Sequence, residues 1–239
     1  MHTLLLRLAG PMQSWGVQSR FSERDTLPEP SKSGVLGLLC AALGVDRSVW
    51  DKPLNPSIPT LKQLSGLRMG VRVDREGTRA YDYQTAMGVM KSKDGKVDQR
   101  DNTVQSRRYY LADAVFLVGL EGEDLEMLQQ AHAALRNPTW PLFLGRKGYV
   151  PSPSVWLKDG LKENTSLLAA LVSYQYLLDQ SHTRLTSPTP QKVRYEIEAS
   201  EGKIRNDVPI DAFSKRQFGA RLVYSRTQTW GEELKDVPL

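Results

Sequence analysis

Apolar positions along this chain recur with two different periods, and the switches between them mark its elements. Thr3 to Leu8 carries Leu4, Leu5, Leu6 and Leu8, which predicts a buried strand that Gly10 and Pro11 end. Residues 10–32 then form a polar loop holding Trp15, Arg20, Phe21 and Arg24 and closing on Pro28 and Pro30. Ser31 or Ser33 is placed to cap a helix. Val35, Leu38, Leu39, Ala42 and Leu43 follow helical spacing up to a stop at Gly44. Leu67, Met69, Val71 and Val73 alternate with Arg68 and Arg72, the period of a half-buried strand. A polar stretch from about 75 to 111 precedes a second, fully apolar strand at Ala114 to Leu120. Asp124 to Arg136 is helical, with Leu125, Leu128 and Leu135 on one face and Pro138 just beyond. Trp140 to Leu144 predicts a short strand that runs into the turn Gly145-Arg146-Lys147-Gly148.

The order is strand, helix, strand, strand, helix, strand. That is the order of the α+β, ferredoxin-like (RRM-like) fold shared with RNA-recognition domains. The 75–111 stretch lies between the second and third strands, where a plain version of this fold has a tight turn. It predicts an inserted β-hairpin, a thumb, with Asp94-Gly95 at or near its tip. Beyond Pro153 the pattern changes. Leu167 to Leu178 fits helix or strand; Val193, Tyr195 and Ile197 alternate with charged residues; Arg221 to Tyr224 is another short strand. The expected organisation is a domain over 1–150 and a smaller, mostly β part over 151–239.

Composition narrows the class. With 40% hydrophobic and 25% charged residues the chain fits a soluble globular protein, and its net charge of +5 fits a polyanionic partner without demanding one. Its single cysteine, Cys40, allows no internal disulfide and no cysteine-based metal site. Met1 to Leu8 is too short and too lightly flanked for a signal peptide, and the longest apolar run, Val35 to Val45, is far short of the roughly 20 residues that span a bilayer. A cytoplasmic protein without a membrane partner is expected.

Candidate chemistry is cationic and aromatic. The insertion carries Arg79, Lys91, Lys93, Lys96, Arg100, Arg107 and Arg108 among Tyr81, Tyr83, Tyr109 and Tyr110. Cations neutralise phosphates and aromatic faces stack on unpaired bases; a solvated charged loop with packed tyrosines is the plainer alternative. The turn Gly145 to Tyr149 lets backbone amides approach a phosphate, although many such turns are simple hairpins. A third, mixed-charge cluster runs from Arg184 to Arg226, with Lys215 and Arg216 beside Phe218 its best part. Trp15 serves equally well as a stacking platform or a buried loop anchor. The histidines are only His2, His132 and His182, without evident partners, and no metal-ligand pattern, Walker A loop, nucleophile elbow or dinucleotide fingerprint is present. No cofactor is expected.

Three stretches carry a resemblance. Leu6-Arg7-Leu8-Ala9-Gly10-Pro11-Met12-Gln13-Ser14-Trp15-Gly16, then Pro30-Ser31-Lys32-Ser33-Gly34-Val35-Leu36-Gly37-Leu38-Leu39, then Leu142-Phe143-Leu144-Gly145-Arg146-Lys147 resemble, in order, motifs of the CRISPR-associated CasD (Cas-five) family, type I-E branch. The resemblance implies a RAMP-type ferredoxin-like fold with a thumb. It implies a place in the antiviral Cascade complex, near target DNA, holding the 5′ handle of the guide RNA beside the CasC backbone subunit and the CasA large subunit. On that basis the expected RNA contacts are Gln13, Trp15, Lys32, Arg100, Arg107, Arg108, Tyr109, Gly145, Arg146 and Lys147. In the type I-C branch the corresponding protein cuts precursor RNA with tyrosine, lysine and histidine. This chain has no histidine between residues 3 and 131, which favours binding without cleavage, CasE doing the cutting. A metal-independent endoribonuclease is the alternative.

Overall fold

The computed structural model describes residues 1–17, 19–20, 22–52, 55, 57–88, 103–180 and 192–238. Its elements are β1 (His2–Ala9), β2 (Met12–Gln13), β3 (Ser19–Arg20), β4 (Glu23–Arg24), α1 (Lys32–Leu43), α2 (Leu61–Ser65), β5 (Arg68–Arg75), β6 (Thr78–Ala86), β7 (Val104–Ala112), β8 (Val115–Gly122), α3 (Leu125–Arg136), β9 (Leu161–Lys162), α4 (Leu167–Ser173), β10 (Lys192–Pro209) and β11 (Phe218–Thr229).

Six strands form the central antiparallel sheet in the order β11-β10-β5-β8-β1-β9. β10 and β11, from the 151–239 segment, thus continue the sheet begun by the first 150 residues. The apolar run of β1 has its reason in this position. Leu4, Leu6 and Leu8 join one core with Met69, Val71 and Val73 under α1 and α3, while Leu5 joins a second core with Leu117, Tyr195 and Leu171 under α4. Each fully buried leucine contributes about 1.5–3 kcal/mol. A second, smaller sheet runs β2-β7-β4-β3 with β6 on the other side of β7. It is antiparallel except for the β4–β7 pair. Within the 75–111 insertion β6 and β7 pair antiparallel; the segment between them, with Asp94-Gly95, lies outside the described residues. The loop expected over 10–32 itself contributes β2, β3 and β4 to this sheet.

Local capping follows the sequence. Ser31 caps α1, its hydroxyl accepting the Gly34 amide, and Gly44 closes that helix at φ 76°. Asp124 caps α3 by accepting the Met127 amide at 2.9 Å. Leu167 to Leu178 resolves into α4, capped by Ser166, and a 3-10 turn that begins at Leu177.

Two expectations fail for identifiable reasons. β5 is buried on both faces, not one: Arg72 is 0% exposed. It points under α4, where its guanidinium grips Asp74 and the carbonyls of Leu171, Tyr174 and Gln175. Trp140 to Leu144 is not a strand. The amides of Thr139 and Trp140 satisfy the carbonyls of Ala42 and Ala41 at the end of α1, Pro141 has no amide to offer, and the Leu144 amide goes to Tyr149. The edge beside β1 is taken by β9 instead.

Candidate nucleic-acid interface

The β10–β11 ribbon is pinned to the start of α1 by buried charge. The Lys32 ammonium donates to both carboxylate oxygens of Glu198 at 3.0 and 2.9 Å, and its backbone amide donates to Asp207 Oδ2 at 2.8 Å. Arg221 holds Asp207 with two bonds of 2.7 and 3.0 Å. Burial holds the Lys32 pKa below its ordinary value, against the opposing pull of Glu198.

These ties leave an open cleft of about 540 Å³ beside the first turn of α1. Its walls are the Ser14–Val17 loop, Ser33 and Gly34, the Gly145-Arg146 turn and the Phe213–Phe218 segment. Four arginines line it: Arg24, Arg47, Arg146 and Arg216. The carboxylate among its lining residues, Asp25, is engaged by Arg79 at 2.7 Å and by the Thr26 amide. A second depression of about 430 Å³ shares Ser33, Gly34, Arg47, Gly145 and Phe213, and adds Lys147 and the apolar Leu38, Trp140 and Phe143. Cations and an aromatic, apolar shelf therefore lie side by side, which suits a strand with charged phosphates and unpaired bases.

The hairpin of β6 and β7 sorts its residues by parity. Arg108 pairs across to Arg24 and Asp82, and lies close to Arg146. Its pKa is held below the ordinary value, first by burial and then by the Arg24 and Arg146 charges. Arg146 is oriented by a 3.0 Å bond to the Arg24 carbonyl. The opposite face of the hairpin carries Arg107 with Glu23 at 3.8 Å, and Arg79 stacked 4.4 Å over the Tyr109 ring beside Tyr81. Arg107 and Tyr109 thus stand on a charge-compensated side, while Arg108 and Arg146 stand on the basic side.

Of the residues expected to contact RNA, Gly145, Arg146 and Lys147 line this cleft or its neighbour, and Arg108 lies close to Arg24 and Arg146 beside it. Three others lie buried. Gln13 is fully buried, its amide nitrogen bonded to the Leu8 and Ala114 carbonyls and its oxygen to the Trp15 indole N–H. Trp15 is 1% exposed and packs against Gly34, where a Cβ would lie 2.9 Å from its ring. Lys32 is spent on Glu198. None of the three side chains has a free face for a base or a phosphate. Arg100 lies outside the described residues, as do Lys91, Lys93, Lys96, His182 and Arg184. Gly145 is needed for a protein contact: at φ 90°, a Cβ there would meet the Ser14 carbonyl oxygen at 1.8 Å. Arg47 carries no motif in the sequence: it follows the helix stop, lines the cleft, and its carbonyl accepts the Ser214 amide at 3.0 Å. His2 accepts from the Asn164 amide and His132 bonds the Leu157 carbonyl; neither lines the cleft. Among the described residues no group of three or more acidic, histidine or cysteine side chains is placed to hold a metal ion, and no helix is long and apolar enough to cross a membrane.

This is a mixed α+β protein with mostly antiparallel sheets and a basic cleft walled by a glycine turn. The profile of the family described as CRISPR-associated protein (Cas_Cas5) matches residues 3–224, and the chain belongs to that family. It is 34% identical over 155 residues to the CRISPR system Cascade subunit CasD of Escherichia coli (strain K12), a match that spans 60% of this chain and 65% of that one, just under two thirds of the relative's length. Two solved structures are similar over 95% of this chain, both with a TM-score of 0.71. One, described as a crystal structure of a Cas protein, is 43% identical and covered over 95% of its length; the other, from a CRISPR RNA-guided surveillance complex, is 33% identical and covered over 90%.

Proposed function

We propose that this chain is a non-catalytic RNA-binding subunit of a Cascade-type CRISPR surveillance complex, and that it holds the 5′ handle of the guide RNA. One observation carries the reading: four arginines line a cleft whose carboxylate is already engaged, with Arg108 adjoining them. Phosphates of the handle lie against Arg24, Arg108, Arg146 and Arg216, and unpaired bases lie against the shelf of Trp140, Phe143 and Phe213. The strand order β9-β1-β8-β5 is that of strands four, one, three and two of a ferredoxin-like RAMP core, which supports that fold reading. The β6–β7 hairpin is the thumb. The CasC backbone subunit and the CasA large subunit are its neighbours in the complex, and the chain works in the cytoplasm.

Salt dependence tests the phosphate contacts. The affinity of the assembled complex for guide RNA is expected to fall with a log–log slope of about −0.7 per contact. Arg108→Ala and Arg146→Ala each reduce that slope by about one contact, whereas Arg107→Ala, already facing Glu23, leaves it nearly unchanged. Full slope and affinity in the Arg108→Ala,Arg146→Ala double variant would remove the cleft from the RNA path.

Cleavage without metal needs a base for the 2′-hydroxyl and an acid for the leaving oxygen. His2 and His132 are committed to backbone groups elsewhere. Labelled precursor RNA incubated with the purified chain in chelator is expected to stay intact, and mature guide RNA is expected to vanish from cells that lack CasE. Mature guide RNA that persists there, and disappears on substitution of Tyr83, Lys147 or His182, would make this chain the processing enzyme.

A further inference from the structure

The distal half of the β10–β11 ribbon carries its side chains inside out. Past the register shift between Glu198 and Lys203, β10 pairs with β11 alone, since its pairing with β5 ends at Ile197. On the side turned to α1 stand the charges: Arg205 bonded to Glu29 at 2.7 Å, and Arg221, 7% exposed, bonded to Asp207. Alternation sends their neighbours to the other side. There Ile204 lies opposite Leu222 and Asn206 opposite Ala220, with Phe218 next in the same row of β11. Ile204 is 67% exposed and Phe218 40%. None of these five residues is ionisable. β11 is also the outermost strand, and among the described residues nothing pairs beyond it. An exposed apolar face on an open edge leaves burial energy unrealised and invites pairing, so its persistence marks a surface that is covered in the working state.

Two features identify what covers it. The face has no cation, so it offers a polyanion nothing to neutralise. It is also continuous with the cleft, because Phe218 belongs both to this row and to the cleft wall. We infer that the outer face of the distal β10–β11 ribbon docks a neighbouring protein subunit of the complex, through an apolar, uncharged surface on that subunit, directly beside the bound RNA. This rests on the reading of the chain as a subunit of an RNA-holding complex. The partner seals Phe218 from water, so the ribbon joins the grip on RNA to assembly.

A photoreactive benzoylphenylalanine at position 204, in the complex purified with its guide RNA, is expected to crosslink to one protein subunit. Ile204→Glu,Ala220→Glu is expected to lower incorporation of the chain into the complex at least about tenfold. The same variant, purified alone, keeps the melting transition and guide RNA affinity of the wild type, since both positions are exposed. Ile204→Leu assembles normally. Crosslinking to RNA, or to a second copy of this chain, overturns the inference, and so does normal assembly of the double glutamate variant. Guide RNA missing from a wild-type complex that still gives the protein crosslink would sink the RNA reading and leave the docking face standing.

Discussion

Arg72→Met is expected to destabilise the chain by about 3–5 kcal/mol, the largest effect of any single substitution considered for stability. The side chain is 0% exposed, as is the Asp74 carboxylate it holds with bonds of 2.7 and 2.9 Å. Its remaining donors reach the Leu171, Tyr174 and Gln175 carbonyls at 2.6, 2.7 and 2.9 Å, where α4 ends. Methionine fills much of the volume but leaves a buried anion without its cation and takes a donor from three carbonyls, of which Tyr174 keeps the Trp230 indole N–H at 3.4 Å. The charge is the larger share of that cost. The double variant Arg72→Met,Asp74→Asn should therefore be more stable than Arg72→Met alone, although it carries one more substitution. Asp74 also accepts the Leu177 amide and its carbonyl accepts the Tyr176 hydroxyl, so recovery is partial. Urea unfolding of the three purified chains measures this. A cost below 1 kcal/mol for Arg72→Met, or a double variant less stable than the single, would mean that α4 is held by apolar packing and not by this pair.

Arg72 also marks where sequence reading reaches its limit. Apolar and arginine residues alternating over 67–73 are the pattern of a strand with one wet face. The same pattern arises when the arginine is buried by partners about a hundred residues later, and nothing local separates the two cases. β1, α1 and α3 were legible because their period, their stops and their caps are all local: Ser31, Gly44 and Asp124 sit where the helices begin or end. Trp140 to Leu144 misled because its apolar content looks strand-like, while its backbone is consumed by the open carbonyls at the end of α1. The cleft was legible in part. The cationic segments around Arg108, Arg146 and Arg216 stood out singly, but their convergence depends on β4 lying parallel to β7 and on the ribbon folding back over α1. The burial of Lys32, an RNA contact on the resemblance alone, is invisible locally because its carboxylate partner, Glu198, lies 166 residues away. Gln13 and Trp15 are covered in the same way, since burial is a property of what returns to cover a residue, and of the two readings open for Trp15 the structure shows the buried anchor.

Gly145→Val is expected to lose at least about tenfold in guide RNA affinity, or 1.4 kcal/mol, in the assembled complex. Two independent constraints meet at this glycine. Its φ of 90° is unfavourable for a β-branched residue, and a Cβ would stand 1.8 Å from the Ser14 carbonyl oxygen and 2.8 Å from its carbon. The turn cannot step aside cheaply, because the Ser14 amide is bonded to the Leu144 carbonyl at 3.1 Å. Strain and parting of these backbones together cost about 1–3 kcal/mol. The damage also travels along the cleft wall. Ser14 precedes Trp15, which packs on Gly34 at the first turn of α1, and Gly145 precedes Arg146, which is bonded to Arg24. Moving the turn therefore displaces Arg146, which is proposed to face phosphate, and loosens the wall opposite it. Gly148→Val separates this from backbone strain alone. Gly148 has a φ of 100°, yet a Cβ there would meet nothing within 4 Å. It should cost about 1–2 kcal/mol of stability and leave guide RNA affinity within about twofold. Affinity lost equally in both variants would assign the effect to strain in the turn. A Gly145→Val chain that keeps its melting temperature, assembles and retains guide RNA would show that the turn neither docks on Ser14 in solution nor carries Arg146 to the RNA.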